Sequence, residues 1–156
     1  MKIVSLIAAL ICFQFTYSQT LPNFEEVSLK QASDYKPAEV TVLTAANYIL
    51  STPVKEDDLD RKMAFAFILR WMTGTPDYSF EVDETAAKIS KGNNEMIGLY
   101  MAAMAKYGIE NPANAKDKQL VRDNALEMVI DYCKKPENNI KMTKGLKKYA
   151  EERSKK

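Results

Sequence analysis

There is no histidine anywhere in this 156-residue chain. Its absence removes the commonest general base, the usual zinc ligand and every histidine-dependent catalytic triad. Cysteine is almost as scarce. Of the two present, Cys12 falls in an N-terminal leader, which leaves Cys133 with no partner for an internal disulfide. A surplus of one charge is missing too: residues 19–156 carry 21 basic and 21 acidic side chains. That balance argues against nucleic acid as a bulk partner.

The leader is read from Lys2, the almost wholly apolar run Ile3 to Phe15, and the small-x-small site Thr16-Tyr17-Ser18. Together these predict a signal peptide over 1–18, cleaved before Gln19. The run falls short of the ~20 residues a membrane span needs, and no later run reaches that length. Ile11 before Cys12 stands where a lipoprotein requires a small residue. The expectation is an exported chain, periplasmic or secreted, with no membrane span after cleavage. Without disulfides it depends on its core, for which 138 residues suffice.

What is present points to helices. Asp57 to Gly74 opens with acids, ends at glycine and is apolar at every position from Met63 to Leu69. These are helix start and stop signals, and a helix apolar all round belongs inside a domain with others packed about it. Phe65 and Phe67 are expected to be fully buried. Residues 19–36 read as an arm, extended apart from a turn, followed by a single helical domain over 37–153 and a disordered tail over 154–156. Pro37 suits the first position of a helix running to about Leu50, with Val40, Leu43, Asn47 and Leu50 on one stripe. After a turn at Thr73 to Tyr78, Ser79 to Val82 reads as a few extended residues and Asp83 to Lys91 as a short helix closed by Gly92. Asn93 or Asn94 caps a helix over Glu95 to Tyr107, stopped by Gly108. Gly98 and Ala102 give that helix a flat strip for close packing on the 57–74 helix. The longest helix opens at Asn111-Pro112 or Asn114 and ends at Lys134-Lys135; Leu126, Val129, Ile130 and Cys133 form its apolar stripe. A last amphipathic helix starts near Thr143 with Leu146, Tyr149 and Ala150 inward. The fold class is all-α, a compact bundle of five or six helices (stacked hairpins) around a buried central helix. The hairpins have no fixed period, so a solenoid is disfavoured.

Several clusters invite chemistry and have plainer explanations. Glu56, Asp57, Asp58 and Asp60 lack the glycine and closing Glu of a calcium loop, and acids at a helix start stabilise its dipole unaided. Met96, Met101 and Met104 carry thioethers that suit copper(I), but methionine is also a common core filler. Cys133 lies on an apolar stripe without a histidine to activate it. No carboxylate pair is singled out for glycoside hydrolysis by its spacing. No catalytic residue, metal ligand or cofactor is assigned.

Two features suggest binding. The turn after the 57–74 helix gathers Arg70, Trp71, Thr75, Asp77 and Tyr78, and Arg, Trp and Tyr dominate interface hot spots. The competing account makes Trp71 a core residue. The other feature is a basic face formed by Lys141, Lys144, Lys147 and Lys148. From Lys134 to Lys156 there are nine basic and three acidic residues, net +6, against net −6 for Gln19 to Cys133. Such a face suits an anionic surface or acidic partner.

The leader ending in YSQT, the run RWMTGTPDYSF, the GLYMAAMAK helix and the closing NNIKMTKGLKK resemble a family of small exported proteins of unknown function from flavobacteria and related bacteria. The resemblance runs through most of the mature chain. It implies a Gram-negative envelope and supplies no activity, cofactor, partner or functional residue. The leading expectation is a non-enzymatic protein-interaction module of the cell envelope, whose partner is a protein or other envelope component. The alternative is a small-molecule or glycan binder with an apolar pocket between the 57–74 and 95–107 helices. An enzyme built on carboxylates alone ranks last.

Overall fold

The computed structural model describes residues 21–81, 83–91 and 93–155; the leader and the stop at Gly92 lie outside them. Among the described residues there are six α-helices and no strand: α1 (Ala32–Ser51), α2 (Leu59–Gly74), α3 (Glu84–Ser90), α4 (Asn94–Glu110), α5 (Lys118–Lys134) and α6 (Lys144–Arg153). A 3-10 turn, Pro136–Asn138, joins the last two. The all-α bundle is therefore as expected. None of these helices is long and apolar enough to cross a membrane.

Side-chain caps start most of the helices. Asp58, Asp83, Asn93, Asp117 and Thr143 each accept a hydrogen bond from a backbone N–H of the first turn that would otherwise lack a partner. The acids before α2 thus serve its N-terminus, with Asp57 paired to Lys62 at 3.0 Å. α1 starts at Ala32, five residues before Pro37. Asp34 explains this: its carboxylate accepts from the Ser28 hydroxyl at 2.7 Å and the Lys30 N–H at 2.9 Å. The Ser28 bond, followed by the backbone ones, holds Asp34 below its usual pKa. Pro37 then falls inside the helix, in its second turn, where it removes one backbone hydrogen bond, to the Ser33 carbonyl.

The expected stripe on α1 is rotated. Ala38, Val42, Ala45, Ala46 and Ile49 are buried, whereas Val40 is 73% exposed and Asn47 is exposed. α4 continues through Gly108 to Glu110, and α5 begins only after Asp117, which makes α1, at 20 residues, longer than α5 at 17.

The central helix is α4, not α2. α4 packs on α1, α2, α3 and α5, and α6 closes over α3 and α5. Its run from Gly98 to Ala105 is buried throughout. The small side chains Gly98, Ala102, Ala103 and Ala105 let neighbours approach from every side. α2, although apolar all round, packs chiefly on α1 and α4 and reaches α5 through Arg61 over the Tyr132 ring. Phe67 is buried, Phe65 is only half-buried, and Ala66 and Leu69 are exposed. Part of the outer face of α2 is covered by the arm. Phe24 stacks on Phe67 with ring centroids 5.2 Å apart, and the Arg70 guanidinium donates to the Phe24 and Val27 carbonyls at 2.9 and 3.1 Å.

α6 touches α3 at Gly145. A Cβ there would overlap the Lys88 carbonyl oxygen, and that oxygen belongs to backbone rather than to a flexible side chain. Thr143 donates its hydroxyl to the Ile89 carbonyl in the same contact. Gly145→Ala improves intrinsic helix propensity, yet it is expected to destabilise by about 1–3 kcal/mol through overpacking. Urea unfolding would measure this, and a neutral or stabilising result would show that α6 does not rest on α3 here.

A basic cleft between α3, α5 and α6

Of the predicted turn residues, Trp71 is fully buried. Its Nε1 donates to the Tyr35 carbonyl at 3.2 Å, and its ring lies 5.3 Å from Tyr78 and 5.8 Å from Phe80. Arg70 is occupied with the arm and also lies over the Phe67 ring at 5.4 Å. Tyr78 is half-buried; burial, and then the Glu39 carboxylate, push its hydroxyl above its usual pKa. Thr75 is half-buried with no partner for its hydroxyl among the described residues, while Asp77 is exposed. Trp71 and Tyr78 join Phe80 in an aromatic group that tethers the turn to the core. The surface hot spot expected from the sequence has its Trp inside the protein.

The basic face forms part of a concave site. α3, α5 and α6 enclose a cleft of about 610 Å³ whose walls include Lys88 and Lys91, Arg122, and Lys144 and Lys148. Asp123 and Glu152 are the acids on the same walls. Lys144 and Lys148, one helical turn apart, look into this space; Lys141 and Lys147 are exposed but outside it. Sequence reasoning missed Lys88, Lys91 and Arg122, since no local spacing shows that α3 and α5 will meet α6.

Some of the charge is spent within the protein. Arg122 pairs with Asp83 at 3.0 Å and Lys88 with Glu84 at 2.8 Å, while Lys148 stands 3.8 Å from Glu152. Asp83 titrates below its usual value: partial burial opposes the charge, but hydrogen bonds from Thr85 and the Arg122 guanidinium outweigh it. Asp123 accepts from the Tyr149 hydroxyl at 2.9 Å and from Arg153 at 3.1 Å. Burial, then Asp123, push Tyr149 up to about 12. Lys91 and Lys144 have no acidic partner among the described residues. Lys91 holds a left-handed backbone, φ 42°, at the end of α3, a conformation that favours glycine.

The remaining candidates are structural. Met96, Met101 and Met104 are buried in the core. Cys133 is half-buried, and burial pushes its thiol up to about 11, so the reactive thiolate is scarce at neutral pH. Among the described residues no group of three acids or cysteines is placed to hold a metal ion. Comparison with protein families, curated proteins and solved structures found no match to this chain.

Proposed function

We propose that this chain is an exported, non-enzymatic interaction domain that binds an acidic segment of a protein partner in the cell envelope through the α3–α5–α6 cleft. The observation that carries the reading is the convergence of Lys88, Lys91, Arg122, Lys144 and Lys148, from three helices distant in sequence, on one concave surface. Asp83, Glu84 and Glu152 offset Arg122, Lys88 and Lys148, but Lys91 and Lys144 have no acidic partner among the described residues and supply the positive charge of the cleft. A concave positive surface concentrates an acidic ligand and speeds its encounter. Burial of Trp71 turns the reading away from the Arg70–Tyr78 turn and toward the basic face. Export rests on the leader and on the family resemblance.

The test is fluorescence anisotropy of a labelled poly-glutamate peptide with residues 19–156 at low and physiological salt. Saturable binding that weakens with salt is expected, since exposed charges are screened beyond ~8 Å at physiological ionic strength. Lys144→Glu with Lys148→Glu should weaken it at least about tenfold, which corresponds to about 1.4 kcal/mol. Both lysines are exposed, so the melting temperature should barely change. Lys55→Glu, outside the cleft, is the control. Equal loss in the control, or no binding at low salt, would overturn the reading.

A further inference from the structure

The basic cleft has a complementary surface elsewhere on the same molecule. The turn between α1 and α2 carries Glu56, Asp57, Asp58 and Asp60, and Leu59 among them is 66% exposed. Asp57 is paired with Lys62 and Asp58 caps α2. Glu56 and Asp60 are exposed and have no cationic partner among the described residues. We propose that the acidic segment held by the cleft is this turn, Glu56 to Asp60, of a second copy of the chain. The inference rests on the basic-cleft reading and names its partner.

Leu59 singles out this turn from the other surface acids. Of the exposed large apolar side chains Val40, Leu59, Leu69 and Leu120, Leu59 alone stands between unpaired acids. The cleft answers both features. Lys91 and Lys144 are cations without an acid, and the half-buried Tyr149 and Gly145 give Leu59 an apolar place between them. The mature chain as a whole is near neutral, so two copies do not repel one another.

The turn is too far from the cleft of its own chain to enter it. The Val54 N–H donates to the Asn138 carbonyl at 3.1 Å, and the Asn139 side chain donates to the Val54 carbonyl at 3.3 Å. These bonds fix the turn beyond the C-terminal end of α5. Gln119, Arg122 and Asp123 line the cleft near the other end of that helix. At ~1.5 Å per residue, the helix holds the two surfaces roughly 15–20 Å apart. Each contact is therefore head-to-tail and leaves one turn and one cleft free, as in a ring or an open chain.

The experiment is sedimentation equilibrium of the mature chain, residues 19–156, over a concentration series at low and physiological salt. At low salt the average mass should rise above that of one chain, and salt should reduce the rise. Lys144→Glu with Lys148→Glu, and separately Glu56→Gln with Asp60→Asn, should each need at least about tenfold more protein to reach the same mass. An equimolar mixture of these two variants should regain association and stop at two chains, because one intact turn then meets one intact cleft. Lys141→Glu with Lys147→Glu makes the same charge change outside the cleft and should associate as wild type does. Asp60 also favours the start of α2. Leu59→Ser therefore tests the turn without altering charge; it should weaken association with a cooperative melt retained. A single-chain mass throughout, a mixture that stays monomeric, or equal loss in the Lys141, Lys147 pair overturns the proposal. Poly-glutamate binding by a chain that never associates overturns this inference and leaves the basic-cleft reading standing; absence of both removes the two together.

Discussion

Arg61→Ala is expected to lower the free energy of unfolding by about 3–5 kcal/mol, measured by urea denaturation at neutral pH. The guanidinium sits at the C-terminal end of α1, where helix carbonyls run out of intrahelical donors and the dipole favours a cation. Its Nη1 serves Ile49 at 2.8 Å and Thr52 at 3.3 Å, and its plane lies over the Tyr132 ring at 5.8 Å. One residue thereby links α1, α2, α4 and α5. The ion pair with Glu95 contributes less, because Glu95 is 39% exposed and its charge remains solvated when unpaired. Removing Arg61 instead leaves the buried Ile49 carbonyl without this donor, at about 1–3 kcal/mol, and opens a void where a long side chain packed. Thr52 retains the Tyr132 hydroxyl as a donor. Glu95→Gln separates the two accounts: it keeps an acceptor for Nε while leaving the buried guanidinium without its counter-charge, and should cost clearly less than Arg61→Ala. Equal effects from the two substitutions would show that the ion pair, not the carbonyls, is what matters.

Trp71→Ala should cost a similar amount, about 3–5 kcal/mol, with Trp71→Phe clearly milder. Trp71 is fully enclosed and packs against Tyr78 and Phe80 while its Nε1 holds the Tyr35 carbonyl. Alanine removes the ring, the hydrogen bond and the anchor of the turn together. The same placement predicts the fluorescence of the wild-type protein, whose single tryptophan reports on this site alone. Emission should be blue-shifted and protected from soluble quenchers until the chain unfolds. Red-shifted, quenchable emission from the folded protein would return Trp71 to the surface and revive the turn as a binding site.

Much of the helical layout was legible because capping is local. Asp83, the Asn93 alternative and Thr143 could be picked out within a few residues of the turns they serve. The start of α1 was misread for a related reason. Pro37 is a strong first-position signal by type, but the Asp34 carboxylate, held by Ser28 and Lys30, had already begun the helix. The late start of α5 at Asp117 was likewise hidden behind the earlier Asn-Pro signal. Apolar content misled more seriously. The run Met63 to Leu69 looks more buried than Gly98 to Ala105, yet α4 is the helix that others surround. Hydropathy measures what a side chain prefers; small side chains determine how many neighbours can reach a helix axis.

The candidate site was half visible. Lys144 and Lys148 stand one turn apart on one helix, a relation fixed by 3.6 residues per turn and readable without coordinates. Lys88, Lys91 and Arg122 come from elsewhere in the chain, and nothing in their local spacing announces that they will face α6.

By itself the amino-acid sequence determined the all-helical class, most helix ends and the basic character of the C-terminal face, because helical hydrogen bonds and caps act across three or four residues. Only the tertiary structure decided that α4 lies at the centre and that Trp71 and Arg61 are interior. It alone decided that five cations from three helices share one cleft, because those relations depend on which surfaces close against one another across long stretches of chain.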